Sequence, residues 1–180
     1  MNIEEITIDQ LKVGDTLCYH KRGILAAMIR IVTSSKFTHT SIVSYIGKNA
    51  VIVHEAVPVG YVPHKLDYSI KDTIQVIIKR PKVRFDVQDL YSCIMDMQGA
   101  KYEFEGLFAE LWWHLKNRKV WIGDKEVRKN VFCSKANAYI FRYAFEMKDY
   151  EQWWSVSPDI IAEDFRNFET FKLKIREINL

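Results

Sequence analysis

The hydrophobic pattern of this chain changes period near residue 85, and that change limits the folds open to it. Upstream, runs rich in Val, Ile and Tyr predict strands over 15–19, 40–46, 50–56 and 73–78, with one early helix over 25–33. Gly47-Lys48-Asn49 between the second and third of these strands carries the residue types of a tight turn, because Gly and Asn tolerate positive φ. The two strands are therefore expected to pair antiparallel. Downstream, Val87, Leu90, Tyr91, Ile94 and Met95 fall at helical spacing behind a capping Asp86. An apolar segment over 106–116 carrying Trp112-Trp113 predicts a second helix. Cys133, Ala136, Asn137, Ile140, Phe141 and Ala144 mark a third. Ser157-Pro158-Asp159 combines a cap, a first-turn proline and an acid matched to the helix dipole, opening a short helix to residue 165. A last strand is expected over 171–178. Strands first and helices later, with hairpins, predict an α+β fold built on an antiparallel sheet.

The chain has 180 residues and neither a repeat nor a Ser/Gly linker, so residues 1–180 read as one domain. A chain of this length buries roughly 70% of its unfolded surface and needs no disulfide or structural metal to fold. Charge is nearly balanced, 26 Lys+Arg against 23 Asp+Glu, which argues against a nucleic-acid partner. The start, Met1-Asn2-Ile3-Glu4-Glu5, lacks the basic and apolar regions of an export signal. The apolar run over 23–32 is broken by Arg30 and is too short for a membrane span. A cytoplasmic protein with reduced thiols and no integral membrane segment is the expectation.

Three residues could carry chemistry. Cys133 stands where an extended stretch meets a helix start, and there the free N–H groups and the dipole favour a thiolate and can also hold an oxyanion. The competing reading is a buried core thiol. His39 begins a strand and could reach a cleft as a general base, or be a surface histidine with no partner. Glu55 is an acid among apolar residues, Val51-Ile52-Val53-His54-Glu55-Ala56, and could orient an imidazole. Register decides this. A three-residue loop puts Glu55 opposite Ser41 on the face of His39, whereas a two- or four-residue loop puts His54 or Ala56 there.

Taken in order, these segments resemble the circularly permuted papain-like (NlpC-type) group that includes YiiX and lecithin retinol acyltransferase. The pieces are Gly14-Asp15, Thr38-His39-Thr40-Ser41-Ile42-Val43, Glu55-Ala56, Arg80-Pro81, Gly99-Ala100-Lys101-Tyr102-Glu103, Phe132-Cys133-Ser134 and Pro158-Asp159-Ile160-Ile161-Ala162, spread over residues 12–165. The resemblance implies Cys133 as nucleophile, His39 as base and Glu55 as the third polar residue, in a partly barrel-like antiparallel sheet with packed helices. Lys135 stands where members of the group often carry an acid, and the aromatic insertion at about 106–130, with Trp112, Trp113 and Trp121, exceeds the group's minimum.

The function expected is that of a thiol hydrolase or acyltransferase at an amide or ester, foremost a peptidase or amidase on a cell-wall-type or other small peptide. The alternatives are an acyl-lipid hydrolase or acyltransferase, and a noncatalytic module that keeps the cleft. No cofactor and no metal are expected, since His20, His64 and His114 lack metal-ligand spacing. Cys18 and Cys93 read as core fill. The run Lys79-Arg80-Pro81-Lys82-Val83-Arg84 reads as a solvated face, or more sharply as an anionic headgroup or phosphate site. Trp153-Trp154 reads as core packing or as an apolar groove. The oligomeric state stays open.

Overall fold

The structure, a computed structural model, describes residues 3–23, 26–27, 29–30, 36–103 and 129–175. Nine strands are found among them: β1 (Glu4–Ile6), β2 (Thr16–Lys21), β3 (His39–Ile46), β4 (Val51–Val57), β5 (Gly60–Lys65), β6 (Thr73–Pro81), β7 (Lys101–Tyr102), β8 (Asn130–Val131) and β9 (Phe168–Leu173). Among the described residues, four α-helices follow the first short helical stretch: α1 (Leu66–Ser69), α2 (Val87–Met97), α3 (Cys133–Tyr143) and α4 (Pro158–Glu163). Seven strands form one sheet in the order β1-β9-β6-β2-β3-β4-β5, antiparallel throughout except for the parallel β1–β9 pair. The α+β class and the antiparallel sheet follow the sequence expectation. The ladder stays open between its edges β1 and β5, so the partly barrel-like expectation is not met by a closed barrel. No described helix is long and apolar enough to cross a membrane.

The central strands are apolar on both faces because both faces are covered. On one, Cys18, Ile42, Ala56 and Ile77 pack with Leu90 and Ile94 of α2 and Ile140 and Phe141 of α3. On the other, Leu17, Tyr19, Val43, Val53, Val76 and Ile78 pack with Leu66 and Ile70 at α1. Asp86 caps α2 as expected, accepting from the Gln88 N–H at 2.8 Å. Pro158 and Asp159 occupy the first turn of α4, but the Ser157 side chain makes no cap bond and the helix stops at Glu163. The last strand begins at Phe168, three residues before the expected start, and pairs with β6. Of the helix expected over 25–33, Ala26, Ala27, Ile29 and Arg30 are helical and the rest lies outside the described residues. The helix over 106–116 and the aromatic insertion lie outside them too.

The β3–β4 hairpin differs from expectation in an instructive way. Ile46 pairs with Val51 across a four-residue loop, closed by the Gly47 N–H on the Ala50 carbonyl at 2.9 Å. Neither Gly47 nor Asn49 adopts positive φ. Carried down the ladder, that register would set Ala56 opposite Ser41. Ser44 instead bulges out and pairing resumes at Val43–Val53 and Ile42–His54, a register that, extended by one residue, sets Glu55 opposite Ser41. The bulge is stabilised from both sides. The Tyr91 hydroxyl donates to the Ser44 carbonyl at 2.9 Å, and the Ser44 hydroxyl donates to the Ile52 carbonyl and meets His54 Nδ1 at 2.8 Å.

Two ion pairs join segments distant in sequence. Arg80 forks onto buried Asp15 (Nε to Oδ1 2.8 Å, Nη2 to Oδ2 2.7 Å) and also reaches the Gln10 carbonyl. Buried Lys135 of α3 donates to Glu103 and to the Asn130 carbonyl, both at 2.8 Å, tying α3 to the β7–β8 pair. Gly14 must be glycine: its φ is +90°, and a Cβ there would lie 2.4 Å from the Phe85 ring.

Candidate functional site

Cys133 is the first residue of α3, behind Phe132 in extended conformation. No side chain caps this helix start and no acid sits in its first turn, so its leading N–H groups are left for other acceptors. His39 is the first residue of β3, paired with Tyr19 of β2, whose ring packs against it at 5.5 Å between centroids. The recorded β3–β4 pairing ends at Ile42–His54. Beyond that point His39 and Thr40 lie near enough to the Cys133 sulfur to favour its thiolate.

Glu55 projects from β4 on the face of His39 and is buried. Its Oε2 hydrogen-bonds His39 Nε2, so Nδ1 is the ring nitrogen left for another partner. Its Oε1 accepts from the Ser69 hydroxyl at 2.6 Å and meets His64 Nδ1 at 2.7 Å. Beside this cluster the Tyr19 hydroxyl and Ser41 Oγ share a 2.6 Å bond. The sequence-derived residues Cys133, His39 and Glu55 thus meet in one chain of contacts. His54 is turned away, held by Ser44 and stacked near Tyr61, and burial pushes its pKa down to about 4.

The electrostatics follow from burial and pairing. Burial alone would raise the Cys133 thiol, but the hydrogen bond and charge of His39, with the Thr40 N–H, hold it below the ordinary thiol value. Burial alone would lower His39, yet the sulfur and Glu55 together raise it to about 9. Glu55 also opposes a burial penalty, and its bonds from His39, Ser69 and His64 hold it well below the usual carboxylate range. All three cysteines are free and buried. Burial pushes Cys18 and Cys93 up to about 12 each, as expected of core thiols, so Cys133 alone is shifted toward thiolate.

A cleft of about 200 Å³ opens beside His39, bordered by Thr38, Lys21, Arg22, Pro58 and Tyr102 among others. The basic run at the end of β6 does not form an anion site. Lys79 is fully buried, with its Nζ on the Thr170 hydroxyl at 2.8 Å and 4.1 Å from the Phe165 ring centroid. Arg80 is committed to Asp15, and Lys82 donates to the Phe165 and Arg166 carbonyls. Lys79 departs from the solvated-face reading because it is fully buried, whereas Lys82, Val83 and Arg84 are exposed and follow it. Trp153 is buried in the core against Tyr139, at 5.0 Å between centroids.

His64, Ser69 and Lys21 were not singled out from sequence. Pro63 beside His64 speaks against a strand, but β5 is a sheet edge where a missing N–H is tolerated. The pairing Val53–His64 brings that ring next to Glu55. An alternation count over 60–65 that admits an edge proline could have found it.

No family model matches the chain, and no curated protein matches its sequence. Its fold is similar to that of YiiX. The solved structure is that of the metalloprotein YiiX from Escherichia coli O157:H7, with a TM-score of 0.64, 16% sequence identity, and coverage of 93% of this chain and 98% of that one. At that identity the likeness shows the fold alone. YiiX is described as a metalloprotein, but the residues here do not fit a metal centre. Among the described residues, no group of three or more His, Cys, Asp or Glu side chains is arranged to hold an ion. Glu55, His39 and His64 do converge, yet they face one another at hydrogen-bond distance and both carboxylate oxygens are engaged.

Proposed function

We propose that the protein is a thiol hydrolase or acyltransferase acting on an amide or ester bond, with the permuted papain-like (NlpC-type) order of histidine before cysteine. The observation that carries this reading is the placement of Cys133 at a helix start without a side-chain cap, near a His39 whose Nε2 is held by buried Glu55; the nearby imidazole favours the thiolate. The Cys133 thiolate attacks the substrate carbonyl, and the carbonyl π electrons move to oxygen. The Cys133 N–H, at the uncapped start of α3, donates to that oxyanion. As the tetrahedral adduct collapses, the bond to the leaving amine or alcohol breaks and the His39 proton passes to it. Neutral His39 then takes a proton from water, or from another acceptor, as that group attacks the thioester. Cys133 leaves as thiolate and His39 is again protonated. Glu55 keeps the imidazole oriented and its cation stabilised throughout.

An amide in a small peptide is the foremost substrate, with an acyl ester as the second reading. Alkylation tests the site itself. Iodoacetamide near pH 6 is expected to modify Cys133 faster than it modifies free cysteine, while Cys18 and Cys93 stay unmodified in the folded protein. Cys133→Ser should abolish acyl-enzyme formation and keep the fold. A Cys133 that reacts no faster than free cysteine would identify a noncatalytic module instead.

A further inference from the structure

The cleft beside His39 has an uneven charge lining. Among the described residues, its titratable border is Lys21, Arg22, His39 and the Tyr102 phenol, with no carboxylate. Lys21 ends β2, two residues from Tyr19, and its Nζ sits 5.4 Å from the Tyr19 ring centroid, on the ring that also packs against His39. Neither Lys21 nor Arg22 forms an ion pair with a described carboxylate. Arg80, Lys82 and Lys135, by contrast, are each committed to an acid or a carbonyl. The Lys21 cation is near enough to interact with both Glu55 and Cys133, although burial lowers its pKa. The remaining walls include the apolar side chains of Ile29, Val57 and Pro58. At about 200 Å³ the cleft is smaller than the roughly 300–1,000 Å³ of a drug-sized site, so it suits a compact group rather than a long acyl chain.

We infer that this cleft receives the carboxylate of a compact acidic substrate, held by Lys21 and Arg22 next to the Cys133–His39 pair. The inference rests on the thiol reading above and narrows it to substrates that carry a carboxylate close to the scissile carbonyl. Two cations bordering a cleft beside His39 raise the local concentration of an anion there and favour its approach over that of a neutral isostere.

Two alkylating probes of nearly equal size, one anionic and one neutral, test this without a known substrate. Rates of Cys133 modification by iodoacetate and by iodoacetamide are measured at low salt, for the full chain and for Lys21→Met, Arg22→Gln and the double variant. The ratio of iodoacetate to iodoacetamide rates is expected to be about four- to ninefold higher in the wild type than in the double variant, from roughly two- to threefold per cation. Salt should compress the wild-type ratio toward that of the double variant. Arg22 is exposed, so Arg22→Gln reports even if Lys21→Met fails to fold. A ratio unchanged by the substitutions and by salt, with rapid iodoacetamide labelling retained, overturns the carboxylate site and leaves the thiol reading intact. Absence of rapid labelling by either reagent in the wild type overturns both.

Discussion

His39 stands between two anions, and most of the site's chemistry turns on that position. The Glu55 carboxylate bonds its Nε2, and the sulfur of Cys133 takes the other side. Replacing Glu55 by Gln removes the charge that stabilises the imidazolium, so His39 becomes less basic and the sulfur retains its proton more often. Alkylation of Cys133 near pH 6 should slow about 10- to 100-fold, one to two pKa units expressed as rate. His54→Ala should stay within about twofold of wild type, because that ring faces Ser44 rather than the site. A crippled His54→Ala beside a normal Glu55→Gln would reverse the assignment. The pH profile follows from the same shifts. The sulfur is protonated below its lowered pKa, and His39 loses the proton needed by the leaving group above about 9. The kcat/KM profile should therefore be a bell, its acid limb lying below the ordinary thiol range and its alkaline limb near 9, both belonging to the pair. In Glu55→Gln the alkaline limb should move to lower pH. Cys133, His39 and Glu55 were legible in the sequence because a thiol at a helix start and polar groups in apolar strands are locally conspicuous. His64 and Ser69 were not, because only β4–β5 pairing and the placement of α1 bring them to Glu55.

Among the elements, the β3–β4 hairpin decides whether the site exists. Its four-residue loop alone would set Ala56 opposite Ser41, and the Ser44 bulge restores Glu55 to that position. Side chains in a ladder repeat every two residues, so one residue of slip exchanges the faces of the strand. Tyr91 on α2 supplies the donor for the bulged Ser44 carbonyl, coupling helix to hairpin. Tyr91→Phe should cost about 1 kcal/mol in urea denaturation, the net worth of one hydrogen bond. An unchanged midpoint would mean that water replaces the hydroxyl without loss. The existence of both strands and of α2, α3 and α4 was readable from period and turn chemistry. The bulge was not, since nothing in Ser44 or its neighbours announces a surplus residue, and the short strands β1, β7 and β8 lack enough residues to display a period.

Across the whole molecule, the buried Arg80–Asp15 fork ties the end of β6 to the turn before β2. Arg80→Met leaves Asp15 buried without its cation and should cost about 3–5 kcal/mol, read as a lowered denaturation midpoint. A loss under about 1 kcal/mol would show that Asp15 finds another partner. The sequence by itself determined the α+β class, the order of strands before helices, the antiparallel hairpin, and the candidate thiol and imidazole, with Glu55 as one of the residues that register could bring to the face of His39. Those properties are written in hydrophobic period and in side-chain chemistry, which act within a few residues. Tertiary structure alone decided the open seven-stranded sheet, the bulge that selects Glu55, the burial of Lys79 and the engagement of Arg80, and the placing of Lys21 and Arg22 beside His39. Each depends on partners tens of residues away, and a charge in a sequence does not reveal whether it will meet a carboxylate, a carbonyl or an open cleft until the chain has closed around it.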